Sequence, residues 1–196
     1  MIPLLVAYGT TEGQTRKIAE FAADLLRQRN HAVILADAST EAKQLDLSAF
    51  DASILASRIH AGRHHRAMVS FVRRYRHLLA AMNTVFLSVS LSAARFGEAD
   101  DTLLARYRAD FVRATGWQPG AYHDVAGARF YSRHNRLTRW ILGLVDHHRF
   151  DTDKDHEFTD WAELRVFLDR WADHLESDTL VDAPFRRQPN VSSRGR

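Results

Sequence analysis

Short apolar runs alternate with stretches of helical periodicity along most of this chain. That alternation limits the possible folds more than any other feature. Pro3-Leu4-Leu5-Val6-Ala7-Tyr8 ends at Gly9 and predicts a buried strand. From Gln14 to Arg29 the apolar residues Ile18, Phe21, Ala22, Leu25 and Leu26 share a helical face. His31 to Asp37 predicts a second strand and Ala52 to Ala56 a third. Met68, Phe71, Val72, Tyr75, Leu78 and Leu79 mark another helix, and Thr84 to Val89 a fourth strand. Leu104, Tyr107 and Phe111 mark a third helix, followed by a weaker fifth strand from Ala121 to Ala128. Trp161, Leu164, Leu168, Trp171 and Leu175 form the stripe of a last helix, with Asp160 and Glu163 spaced as a capping box. Strands that alternate with helices pair in parallel through crossover connections. The expected fold is an α/β three-layer sandwich with a five-stranded parallel sheet in the order 2-1-3-4-5. Ligands of such sheets sit in the crevice at the carboxyl ends of the strands.

The chain has 196 residues, the size of one ordinary domain. It contains no cysteine, which excludes a disulfide scaffold, a thiolate metal site and a cysteine nucleophile. No apolar stretch approaches the roughly 20 residues of a membrane span, and no secretory signal begins the chain. A cytoplasmic protein is expected, with contact to the inner face of the cell membrane open to it.

The formal charge is +3 but unevenly spread. Residues 58–150 carry +9, all of their cations being Arg, while residues 151–183 carry −8. Arginine suits planar anions such as carboxylates and phosphates, and a solvated, ion-paired surface accounts for the same pattern. Between the fifth strand and the last helix lies an insert at about 129–158. Its Leu137, Trp140, Ile141, Leu144 and Val145 form an apolar stripe among Arg136, Arg139, His147 and Arg149. This basic amphipathic helix reads as a packed crossover, a contact in a homo-oligomer, or an element lying on an anionic membrane surface. The domain is expected to span 1–176, with 177–196 as a disordered Arg-rich tail. No nucleic-acid partner is expected.

The first strand enters its helix through Gly9-Thr10-Thr11-Glu12-Gly13-Gln14-Thr15. There is no Walker lysine and no GxGxxG. What remains is a hydroxyl-rich turn at a helix N-terminus, whose amides and dipole favour a phosphate. An ordinary threonine N-cap explains the same residues. The third strand runs into Ser57-Arg58-Ile59-His60-Ala61-Gly62-Arg63-His64-His65 and the fourth into Ser88-Val89-Ser90-Leu91. In a doubly wound sheet these loops stand beside the first, so a phosphate tail and a flat ring fit together there. A metal at His60, His64 and His65 is disfavoured because Gly62 breaks the helical spacing such a pair needs. Asp151, Asp153 and Asp155 lack the glycine and the terminal glutamate of a calcium loop. No metal is expected.

At these residues the sequence resembles a known family. Tyr8 to Thr15 with Ile18-Ala19 is similar to the FMN phosphate loop of flavodoxin-like proteins. More specifically, Gly13-Gln14-Thr15-Arg16, Ile59-His60-Ala61-Gly62 with His65, Ser88 to Leu91, Gly116-Trp117-Gln118-Pro119, Ala126-Gly127-Ala128 and Thr159-Asp160-Trp161 resemble the menaquinone-dependent protoporphyrinogen IX dehydrogenase family. The likeness covers roughly residues 2–176. It implies a flavodoxin-like fold, noncovalent FMN, and oxidation of protoporphyrinogen IX to protoporphyrin IX in haem synthesis. Electrons would pass to menaquinone or ubiquinone at the membrane. By carry-over, Thr10, Thr11, Glu12, Gly13, Gln14 and Thr15 would hold the phosphate. Ile59, His60, Ala61 and Gly62, with Ser88, Val89, Ser90 and Leu91, would line the flavin ring. Gly9 stands where a hydroxyl residue is common, Arg58 where a small residue is common, and Ser92 to Asp100 departs from the family pattern.

His60 is the nearest candidate proton acceptor. Arg129, Arg133 and Arg136, with Arg139, are candidates for meeting substrate propionates or anionic headgroups. Three other readings compete: a flavodoxin-type electron carrier, a nicotinamide-fed flavin quinone reductase, and a partner-binding domain without cofactor. The basic middle of the chain weighs against the carrier, whose docking rim should be acidic.

Overall fold

The computed structural model describes residues 1–11, 13–94, 99–129 and 156–182. Two compact units divide after Trp161. In the first, β1 (Pro3–Gly9), β2 (Ala32–Asp37), β3 (Ala52–His60), β5 (Asn83–Ser90) and β6 (Ala121–Ala126) form a parallel sheet in the order β2-β1-β3-β5-β6. Counted over its long strands, this is the expected order 2-1-3-4-5. The additional strand β4 (Arg63–His64) folds back antiparallel on β3.

Helix α1 (Gln14–Gln28) follows β1 and packs on β1, β2 and β3. It ends one residue earlier than its periodicity suggests. Asn30 takes a left-handed φ of 61°, and the amides of Asn30 and His31 turn back to the Arg27 and Leu26 carbonyls. Helices α2 (Arg66–Ala80) and α3 (Ala99–Thr115) pack on each other, and α2 covers β1, β3 and β5. Strand order reverses direction after β2, and right-handed crossovers then send α1 and α2 to opposite faces. The alternation of side chains agrees. Leu5, Ala7, Leu55 and Phe86 share one core with Met68, Phe71 and Val72 of α2, and with Phe111 of α3. Leu4, Val6, Ile54 and Val85 are equally buried and point to the other face. Each fully buried side chain of this size contributes about 1.5–3 kcal/mol.

The fifth strand is shorter than expected. At Gly127 the chain leaves the sheet. Its N–H donates to the Ser90 carbonyl (3.0 Å) and its carbonyl accepts from Phe158 (3.0 Å). Ala128–Arg129 (β7) then pairs antiparallel with His156–Glu157 (β8), closing the base of the insert. The rest of the insert, with Arg133, Arg136, Arg139 and its amphipathic stripe, lies outside the described residues.

Helix α4 (Trp161–Asp182) carries a buried stripe of Leu164, Leu168, Ala172 and Leu175. It runs past residue 176, where the sequence suggested a disordered tail. Leucine, valine and aspartate at 180–182 continue the helix, and residues 183–196 lie outside the described residues. Among the described residues no helix is long and apolar enough to cross a membrane.

Candidate functional site

Sheet register decides which side chains meet. Gly9 is level with Ser57, Ser57 with Ser88, and Ser88 with Asp124. One step further, Arg58 lies beside Val89, and another step on Ser90 lies beside Ala126. The residues beyond these levels therefore form a single edge, where the turns after β1, β3, β5 and β6 gather.

The first turn ends in Gly13, whose φ of 100° is open to glycine at little cost. Its amide donates to Thr10 Oγ1 (3.3 Å). No side chain caps α1, so the N–H groups of its first turn leave the helix end without an intrahelical acceptor. Gln14 and Thr15 are both buried here. The Gln14 amide nitrogen donates to Thr159 Oγ1 (2.8 Å), and that hydroxyl donates to the Ala126 carbonyl (2.7 Å). This chain fixes the amide so that its oxygen Oε1 is buried with no hydrogen-bond partner. Thr159 and Ala126 belong to motifs visible in the sequence, but only the fold shows that they orient Gln14. Glu12 lies outside the described residues.

Gly9 is set by a neighbour. A Cβ there would stand 3.1 Å from both His65 Nδ1 and Met68 Cβ. The start of α2 thus takes the space that a hydroxyl-bearing side chain would need. In its place the turn receives a cation: Arg58, from the end of β3, donates from Nη1 to Thr11 Oγ1. Arg58 was legible only as a departure from the family pattern. A guanidinium, two threonine hydroxyls and open helix amides together suit an oxyanion such as a phosphate. Burial pushes the His65 pKa down, and the Arg58 charge adds to this while Asp37 opposes it.

The second turn is a tight hairpin. His60 pairs with Arg63 across Ala61 (φ 47°) and Gly62 (φ 74°), both left-handed, as a two-residue type I′ turn requires. Ala61 is non-glycine in this region, a strain of about 1–2 kcal/mol. His60, Ala61 and Gly62 are all exposed and Ile59 is half-buried. The three histidines do not converge: His60 is exposed, His65 begins α2, and His64 is buried against Phe86 and Phe111.

In the third turn Ser88 and Val89 lie within the body of β5, buried, whereas Ser90 and Leu91 reach the edge. Ser90 Oγ accepts from the Ala93 amide (3.3 Å) and opens the 3-10 turn Ser92–Ala94. Leu91 is 37% exposed beside it. Arg129 ends β7, and Arg133 and Arg136 lie outside the described residues.

Comparison with known proteins fits this geometry. Two relatives named protoporphyrinogen IX dehydrogenase [quinone] align over most of the chain. The protein of Escherichia coli (strain K12) is 28% identical over 181 residues, 90% of this chain and 98% of that protein. The protein of Leishmania major is 28% identical over 175 residues, 86% of this chain and 74% of that one. Among solved structures, oxidised flavodoxin 1 from Bacillus cereus superposes with a TM-score of 0.50 at 16% identity, covering 88% of this chain and 98% of that one. Rubredoxin oxygen:oxidoreductase from Desulfovibrio gigas gives 0.52 at 13% identity, covering 89% of this chain and 36% of that one. The flavodoxin domain model matches residues 5–156, well over half of the sequence, and with this sheet order it shows that the chain belongs to the flavodoxin domain family.

Proposed function

We propose that this protein oxidises protoporphyrinogen IX to protoporphyrin IX with FMN, and passes the electrons to menaquinone or ubiquinone at a membrane. The observation that carries the reading is the cradle at the β1–α1 turn. There the uncapped N-terminus of α1, the Thr10 hydroxyl and the Arg58 guanidinium on Thr11 gather at one turn. A phosphomonoester accepts hydrogen bonds from such donors. The 28% identity to two proteins of that name supports the substrate class.

In this reading Thr10, Thr11, Glu12, Gly13, Gln14, Thr15 and Arg58 hold the phosphate. The His60–Gly62 hairpin, with Ile59, and the Ser88–Leu91 segment flank the ring. Bound FMN supplies the electron acceptor, which no side chain of this protein can provide. The chain positions the donor carbon, excludes water, and receives protons released from the substrate. His60, exposed on the hairpin, takes one at a ring nitrogen. Arg129, Arg133 and Arg136 bring the insert to an anionic membrane surface or to propionates. Gln at both 133 and 136 should then weaken vesicle binding or substrate affinity, and no change in either would refute that role.

The test of the whole reading has two stages. Purified protein should retain or take up FMN. Mixed anaerobically with protoporphyrinogen IX, it should generate porphyrin fluorescence only when a menaquinone analogue is added. Flavin binding without quinone-dependent porphyrin would favour the electron-carrier reading instead.

A further inference from the structure

The His60–Gly62 hairpin has a second side. Below it, between α2 and α3, opens a groove of about 730 Å³. Arg66, Val69 and Arg73 of α2 form one wall, and Leu103, Arg106 and Tyr107 of α3 form the other. Ala61, Gly62 and Arg63 close its upper end, and Tyr107 comes within 3.8 Å of where a Cβ on Gly62 would stand. The turn assigned to the flavin ring is therefore also the roof of this groove.

The lining combines two chemistries. Val69, Leu103, Tyr107 and Phe111 give its apolar surface. Arg63, Arg66, Arg73 and Arg106 face a single acid, Asp110, which already pairs with Arg113 (2.8 Å) and Arg106 (3.6 Å). Arg73 donates from Nε to the Ala114 carbonyl, which holds its guanidinium at the wall. A cavity of this size suits one small organic ligand. An apolar body bearing carboxylates matches both the apolar lining and the excess of guanidinium groups, which bind carboxylates through paired hydrogen bonds.

We propose that this groove seats the propionate-bearing edge of the tetrapyrrole, beside the turn that lines the flavin ring. This rests on the reading of the protein as a protoporphyrinogen oxidant, and it leaves the arginines of the insert to the membrane. Arg66 and Arg106, one on each wall, are then specificity-determining residues for a dicarboxylic porphyrin.

Titration of FMN-loaded protein with protoporphyrin IX, and with its uncharged dimethyl ester in the same detergent buffer, tests this through quenching of tryptophan fluorescence. The wild type should bind the diacid more tightly than the ester. The double variant Arg66→Gln/Arg106→Gln should lose on the order of tenfold in affinity for the diacid, change little for the ester, and keep its flavin content and melting temperature. Equal loss for both ligands, or no loss for the diacid, overturns the assignment. A flavin-loaded wild type that binds neither porphyrin overturns both this site and the proposed substrate. A variant that loses only co-sedimentation with phosphatidylglycerol vesicles would make the groove a lipid-facing surface, contrary to the proposal.

Discussion

Ala61 and Arg58 each depart from the residue that local rules favour. Ala61 holds a φ of 47°, and glycine would relieve that strain while adding flexibility to the unfolded chain. Ala61→Gly should therefore stabilise the protein by about 0.5–1 kcal/mol in urea denaturation. An unchanged or lower midpoint would mean that the hairpin does not carry this strain. Arg58 places its guanidinium on Thr11. If it binds the cofactor phosphate, Arg58→Gln should cost roughly 1–2 kcal/mol, about tenfold, in FMN affinity. Riboflavin, which lacks the phosphate, should bind both proteins alike. A parallel loss for riboflavin would assign Arg58 to the ring or to general packing instead.

Elements constrain one another at the sheet edge. The end of β1 and the start of α2 approach so closely that a side chain at position 9 would need its neighbours to give by a few tenths of an ångström. Gly9→Ser would push its Cβ to 3.1 Å from Met68 Cβ and His65 Nδ1. Met68 is fully buried, so overpacking of about 1–3 kcal/mol is expected, and thermal or chemical denaturation should record it. A serine tolerated without loss would show that α2 shifts. The same contact explains a departure that the sequence alone left unexplained. The absent hydroxyl at position 9 and the cation at position 58 belong to one local arrangement, in which α2 sits close and β3 supplies the polar group.

Across the whole molecule, His64 links stability to pH. It sits between Phe86 and Phe111, with ring centroids 5.2 and 4.8 Å away. Burial lowers its pKa to about 4, and the Ser57 backbone opposes that only in part. In the unfolded chain an ordinary histidine titrates near 6.5. As the pH falls, the unfolded state takes up the proton first. The folding stability is thus complete above about 6.5 and is lost toward 4, by up to roughly 3 kcal/mol. His65, shifted in the same direction, adds to the slope. Denaturation at about pH 7.5 and about pH 4.5 should show this loss, and His64→Phe should flatten it. Equal slopes in the two proteins would place the acid sensitivity elsewhere.

The five long parallel strands, their order and the three loops at the carboxyl edge were legible in the chain itself, whereas the short strands β4, β7 and β8 were not. Periods of 2 and 3.6 in hydrophobicity are local properties, and right-handed crossovers leave few ways to connect five such strands. The turn at Thr10 to Thr15 was legible as a helix N-terminus for the same reason, since such a start is written in a few adjacent residues. What the sequence could not supply was distance between remote residues. Gln14 meets Thr159, Arg58 reaches Thr11, and Gly9 is filled by His65 and Met68 only once the strands are in register. The groove likewise joins residues of β4, α2 and α3, and its arginines read along the chain as an ordinary basic face. Periodicity tells each element which side to bury. Only packing in three dimensions decides which side chains then stand within a hydrogen bond of one another.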